Sequence, residues 1–245
     1  MGFMDTLNIF LKPNSSGNAT ALTVLCPIIN RVVDGRSSAD IVRERCLRLP
    51  IHEKSPLAKV PNTYLARIFI LDNVFYESLP GSDSIFNFSE ITSIFSDKSR
   101  IGALPQKDQL KSKYLVFSSN FHGDLDAYLR GMWDKWSYDD NGQQRDVRYI
   151  WENCVAFGGV TDSSSFISYM KRCQLNSALF FNGSTDDSLQ EQLKALYLKQ
   201  EFSKFAAAHQ GESAADLQQA FKVFIEQVQP SNLSGPSWEP GQSKP

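Results

Sequence analysis

The chain has 245 residues, with 25 basic and 27 acidic side chains and a formal net charge of −2. Apolar residues make up 42% and charged residues 21%. That balance supports a packed core and excludes a mainly disordered chain, a coiled coil or a collagen. It offers no basic footprint for a phosphate backbone, so nucleic acid is not an expected partner.

At the N-terminus, residues 1–14 lack a basic n-region followed by a clean apolar run, so they do not read as a signal peptide. No window of about 18 uninterrupted apolar residues exists, so no integral membrane association is expected and a cytoplasmic location is. In residues 19–29, Leu22, Val24, Cys26 and Ile28 alternate on one face and predict a strand. Ser37 with Asp40 resembles a capping box. Val42, Cys46 and Leu49 follow at helical spacing, and Pro50 stops the helix. Residues 63–72 carry the strongest strand signal. Tyr64, Ala66, Ile68 and Ile70 fall on one face, and Leu65, Arg67, Phe69 and Leu71 on the other. Two largely apolar faces predict a central strand covered on both sides. A further strand is expected over 113–119.

Asp124 opens a helix marked by Leu125, Leu129, Met132 and Trp136. Val147, Ile150, Trp151, Cys154 and Val155 suggest a short helix broken by Gly158-Gly159. Thr161 or Asp162 caps the next, with Phe166, Met170 and Cys173 on one face. Residues 177–181 read as a short strand. The resulting order is strand, helix, strand, strand, helix, strand, so the fold class is α+β, a ferredoxin-like β-α-β-β-α-β antiparallel sheet. Both helices then lie on one face, and something must cover the other. Two segments are available. Residues 73–110 form an aromatic insertion too long for a hairpin loop. Leu189, Leu193, Leu196 and Tyr197, then Leu217, Phe221, Phe224 and Val228, stripe a C-terminal helical hairpin. The expected organisation is an α+β domain over 1–185, the hairpin over 186–229 and a disordered tail over 230–245.

Two runs carry a resemblance. Thr63-Tyr64-Leu65-Ala66-Arg67 is similar to a "T-H-F-A-R" strand, and Phe117-Ser118-Ser119-Asn120-Phe121-His122-Gly123-Asp124 to an "F-S-N-Y-D-G" strand-to-helix turn, in poorly characterised bacterial proteins. Those proteins look like members of the dimeric α+β barrel superfamily, which includes dye-decolourising haem peroxidases, chlorite dismutase-like proteins and small quinol-forming monooxygenases. The resemblance spans about 19–182. It implies a homodimer, a small-molecule ligand at the open sheet face, and oxidoreductase activity that is haem-linked or cofactor-free. Two departures put inherited chemistry in doubt. Tyr64 replaces the histidine of the first motif, and His122 the aspartate of the second.

The candidate catalytic residues are His122, a general base or axial haem ligand beside a strand-to-helix turn, and Arg67, a charge expected inside an apolar strand. Tyr64, Asn120 and Asp124 are the candidate ligand-binding residues. Against these, Asn120 and Asp124 suit helix capping, and Arg67 suits an ion pair with Asp72, Glu152 or Asp124. Cys26, Cys46, Cys154 and Cys173 form no C-x-x-C pair and read as small buried hydrophobes, so no metal site is expected. No phosphate-binding glycine loop, zinc-protease or nucleophile-elbow motif is present. Two function classes remain. One is a small-molecule-binding α+β barrel protein, oxidative in one version, with a pocket between the sheet and 73–110. The other is a non-catalytic binding or assembly module acting through the insertion and the C-terminal helices.

Overall fold

The structure, a computed structural model, describes residues 13–76, 106–184, 186–230, 237, 238, 240 and 241. In chain order it runs β1 (Ser15–Ser16), β2 (Ala19–Pro27), β3 (Val32–Val33), β4 (Arg36–Ser37), α1 (Ser38–Leu47), α2 (Pro56–Lys59), β5 (Thr63–Tyr76) and β6 (Gln106–His122). It continues with α3 (Leu125–Lys135), β7 (Tyr138–Asp140), β8 (Gln143–Arg145), α4 (Arg148–Trp151), α5 (Ser163–Cys173), α6 (Leu189–Ala208) and α7 (Ala214–Val228). The result is a mixed α+β fold around one antiparallel sheet of order β1-β2-β6-β5.

The helix boundaries follow the local chemistry. Ser37 caps α1 by accepting from the Asp40 amide at 3.1 Å and donating to its carboxylate at 2.6 Å. Asp124 caps α3 by accepting from the amides of Asp126 and Ala127. Asp162, rather than Thr161, caps α5 in a reciprocal box with Ser165. Each cap satisfies amides that the first helical turn leaves without intrahelical partners.

The core lies between the sheet and α1, α3, α4 and α5. Leu22, Val24 and Cys26 of β2 and Leu115, Phe117 and Phe121 of β6 face it and are buried. Trp151 sits at the centre and meets Phe117, Trp136 and Phe166 edge-on. Phe121 stacks flat on Tyr128, with ring centroids 3.8 Å apart. The buried Tyr128 hydroxyl is 2.7 Å from Ser119 Oγ, so this polar group carries little desolvation cost.

Three expectations need correction. Residues 177–181 are not a strand. The free edge of β2 is taken by the preceding arm instead: Ser15 and Ser16 pair with Thr20 and Ala19, and the Asn14 carbonyl accepts from the Ala21 amide at 2.8 Å. Beyond an isolated bridge at Gln174 and the Leu175 amide on the Thr23 carbonyl, residues 176–182 lie outside that edge. There the Ser177 amide donates to the Asn14 side chain and the Asn182 amide to Ser16 Oγ. Second, β5 is an edge strand and not a central one. Its Leu65 is 56% and its Phe69 47% exposed, so its second apolar face is open among the described residues. Third, Tyr64 does not share a face with Ala66. Thr63 pairs with Phe121 but Leu65 with Asn120, so Tyr64 is the extra residue of a β-bulge.

Of the expected insertion, 73–76 and 106–110 continue the β5–β6 ribbon, and 77–105 lie outside the described residues. In the expected tail, Trp238 packs edge-on against Tyr197, with centroids 5.9 Å apart. The α6–α7 hairpin is present and is held by an aromatic seam of Phe202, Phe205, Phe221 and Phe224.

Replacing Trp151 by Ala removes the hub of the core and is expected to cost about 3–5 kcal/mol. Leu65→Ala, on an open face, is expected to change stability by about 0.5 kcal/mol or less. Chemical denaturation midpoints of the two variants check the contrast.

Candidate functional site

The sheet has one face against α1, α3, α4 and α5 and one facing away from them. On the second face β6 presents Asn120 and His122. Opposite Asn120, β2 places Ala21 and β5 places Leu65; one step along, Ser118 is flanked by Thr23 and Arg67. The bulge adds Tyr64 to this face, where its hydroxyl lies 3.0 Å from His122 Nδ1. Four of the five sequence candidates, Tyr64, Arg67, Asn120 and His122, therefore share one surface. Asp124 does not join them; it is exposed and caps α3.

Cover on this face is uneven. Ala19, Ala21 and Val116 are buried, whereas Leu65 and Phe69 are not. Near Ala19 the cover is the segment 175–188, excluding Thr185, together with the start of α6. Between that segment and the sheet runs a cleft of about 270 Å³ lined by Ala19, Tyr64, Leu65, Asn120, Phe180, Phe181, Asn182, Ser184, Leu189 and Gln192. Tyr64 is the single ionisable group in that lining. Burial and the nearby charges of Asp186 and Asp187 hold its hydroxyl above the ordinary tyrosine range, so it stays protonated at neutral pH.

The covering segment is fastened at several points. The Leu175 amide donates to the Thr23 carbonyl at 2.8 Å. The Asp186 carboxylate accepts from the Asn18 backbone amide at 2.7 Å and from its side-chain amide at 2.9 Å. Gly17 is required beside this contact. Its φ is +62°, and a Cβ there would sit 2.7 Å from the Asp186 carboxylate. The Asp187 carbonyl accepts from the Tyr64 hydroxyl at 2.8 Å and from Gln192 Nε2 at 2.9 Å.

Arg67 is exposed, so the burial that singled it out in the sequence is absent. As an edge-strand residue on the open face it reaches water directly. His122 is half-buried but does not line the cleft; its Nδ1 is engaged by Tyr64. A macrocycle does not fit these residues. The cleft falls below the roughly 300–1,000 Å³ of drug-sized ligand pockets, and the nearest histidine lies outside its lining. Sequence reasoning missed the contributions of Phe180, Phe181, Asn182 and Ser184, because that run reads as an ordinary strand end.

The cysteines are free. Cys26, Cys154 and Cys173 converge beneath β2, and contact with Cys154 together with burial pushes the Cys26 thiol up to about 12. Burial does the same to Cys46. Such thiols are poor nucleophiles. Among the described residues no cluster of histidine, cysteine and carboxylate side chains is arranged to hold a metal ion, and no helix is long and apolar enough to cross a membrane.

Compared with family models, curated proteins and solved structures, the chain finds no significant match in any of the three.

The raised Tyr64 hydroxyl, joined by those of Tyr128, Tyr138 and Tyr169, links stability to alkaline pH. The folded state keeps these protons when the unfolded chain has begun to lose them, so stability is full below about pH 10 and falls as pH rises beyond it. Thermal midpoints measured across that range check the sign, and Tyr64→Phe is expected to flatten part of the fall.

Proposed function

We propose that the protein is a small-molecule-binding α+β protein whose ligand occupies the cleft between the second sheet face, opposite α1, α3, α4 and α5, and residues 180–192. One observation carries the reading: the lining combines aromatic walls, Phe180 and Phe181, with neutral polar groups, Tyr64, Asn120, Asn182, Ser184 and Gln192, and contains no charged side chain. A few convergent polar groups in an otherwise apolar concavity are the ordinary composition of a ligand site. The ligand class follows from the lining. Carboxylates and ammonium groups would enter without a counter-charge at a desolvation cost. An uncharged, flat molecule bearing amide or hydroxyl groups would find partners at Asn120, Asn182, Ser184 and Gln192. Oxidative chemistry receives no support from this lining, because Tyr64 is its one ionisable group. The order of β2, β6 and β5, with α1 after β2 and α3 after β6, supports kinship with ferredoxin-like sheets and with the dimeric α+β barrel superfamily as a reading of the fold.

The test is a thermal-shift screen of small aromatic compounds in matched neutral and carboxylate forms. Neutral members are expected to raise the melting temperature and carboxylates to leave it unchanged. Asn120→Ala is expected to weaken a hit about tenfold, in line with the loss of one or two hydrogen bonds inside a partly desolvated site. Preference for the carboxylate series, or a hit indifferent to Asn120, overturns the reading.

A second reading, an assembly module, is favoured by the hairpin. Leu196, Leu198, Phe202, Leu217, Phe221, Val223 and Ile225 are each 40–52% exposed, and Phe224 is the single buried residue of the pair of helices. Two helices cannot bury that much apolar surface between themselves, and two such hairpins together form a four-helix core. Light scattering coupled to size exclusion tests it. A dimer that dissociates on the Phe202→Glu, Ile225→Glu double substitution supports a homodimer through α6 and α7; a monomeric wild type removes it.

A further inference from the structure

Asp187 is tied to the sheet through one hydroxyl whose proton can be placed. The Tyr64 O–H lies 2.8 Å from the Asp187 carbonyl and 3.0 Å from His122 Nδ1. A carbonyl oxygen only accepts, so the single hydroxyl proton of Tyr64 is committed to Asp187. The Tyr64 oxygen must then accept from His122, and Nδ1 must carry a proton. In the neutral ring this leaves Nε2 bare, which reverses the tautomer that a free imidazole side chain favours. His122 Nε2 has no hydrogen-bond partner among the described residues and is not among the buried unsatisfied atoms.

We propose that His122 is a positioning residue: held as the Nδ1–H tautomer, it orients the Tyr64 hydroxyl onto the Asp187 carbonyl and so latches the segment that roofs the cleft. The two donors run in series. His122 donates to Tyr64, Tyr64 donates to Asp187, and each bond polarises the next. The backbone prepares both ends. His122 is pinned by its amide, which donates to the Asn62 carbonyl at 3.1 Å. Tyr64 reaches this face only because the bulge turns it away from Ala66. A separate fastening, the Asp186 carboxylate on Asn18, holds the same segment from the β1–β2 turn. The roof also supplies Phe180, Phe181, Asn182 and Ser184 to the cleft, so release of the latch loosens part of the lining. The latch as a gate rests on the binding-site reading above; the tautomer does not.

Long-range ¹H–¹⁵N correlation of the wild-type protein, at a pH where the ring is neutral, reads the tautomer with no variant needed. A protonated Nδ1 and an unprotonated Nε2 are expected; a ring found as Nε2–H overturns the proposal. Tyr64→Phe is expected to return His122 to the Nε2–H form. It is also expected to speed amide exchange at Asn182 and Ser184, whose amides donate to Ser16 Oγ and Asn182 Oδ1, roughly two- to tenfold, the range set by the net worth of one hydrogen bond. Asn18→Ala separates a latch from general loosening: exchange in the segment should rise while the tautomer stays as in the wild type. Unchanged exchange in Tyr64→Phe overturns the latch. A cleft that takes no ligand leaves the tautomer and exchange results standing, so the two readings fail separately.

Discussion

One inserted residue sets the character of the sheet's second face. Between Thr63 and Leu65 the β5 strand advances two residues while β6 advances one. Had the register continued unbroken, Tyr64 would have followed the alternation of Ala66, Ile68 and Ile70 into the core, where its hydroxyl would need a buried partner. The bulge instead puts a phenol beside His122 and beneath the Asp187 carbonyl. On the core side the same stretch is closed by Thr63, Ser119 and Tyr128, whose hydroxyls satisfy one another. A polar cluster therefore stands on each side of the sheet at the same level, with the irregularity between them. Bulges often sit where a strand must re-aim a side chain.

The N-terminal arm has a comparable influence through competition for an edge. Asn14, Ser15 and Ser16 take the hydrogen-bonding positions along β2. The chain leaving α5 can then reach the sheet only at Gln174 and Leu175. Further on, its backbone amides are met by side chains of the arm rather than by a strand. An irregular segment fastened by side chains can pass over the sheet face in a way that a paired strand cannot. That passage creates the cleft. It also leaves Leu179 85% and Phe181 79% exposed, a price in apolar surface that a fourth full strand would not have carried.

The helical hairpin shows how far local pattern reaches. The stripes Leu193–Tyr197 and Phe221–Phe224 specify two helices, and the aromatic seam between them is built from an i, i+3 pair on each, Phe202 with Phe205 and Phe221 with Phe224. Pattern of this kind defines a face but not the object that meets it. Within the described residues the seam buries Phe224 alone, and the outward-facing Leu198 and Ile225 are left half open.

What the sequence determined by itself was local. Capping side chains at Ser37, Asp124 and Asp162, and helical periodicity in Leu129, Met132, Phe166 and Met170, act within a few residues. So does alternation along Leu22, Val24 and Cys26. Each is legible because its partners are neighbours in the chain. The residues of the sheet's second face were also partly legible, since Tyr64, Asn120 and His122 stand out as polar groups at strand ends. Their arrangement was decided by tertiary structure. A bulge shows only in the pairing of two strands, here Thr63 with Phe121 and Leu65 with Asn120, far apart in the chain, and edge or central position depends on which strand wins a neighbour. Arg67 illustrates the limit: its apolar flanks suggest burial, but exposure is a property of the sheet's edge and not of the strand. The cleft and its roof belong to the same class, because contacts between residues 14–23, 64–65 and 175–192 arise only when three distant stretches compete for one sheet.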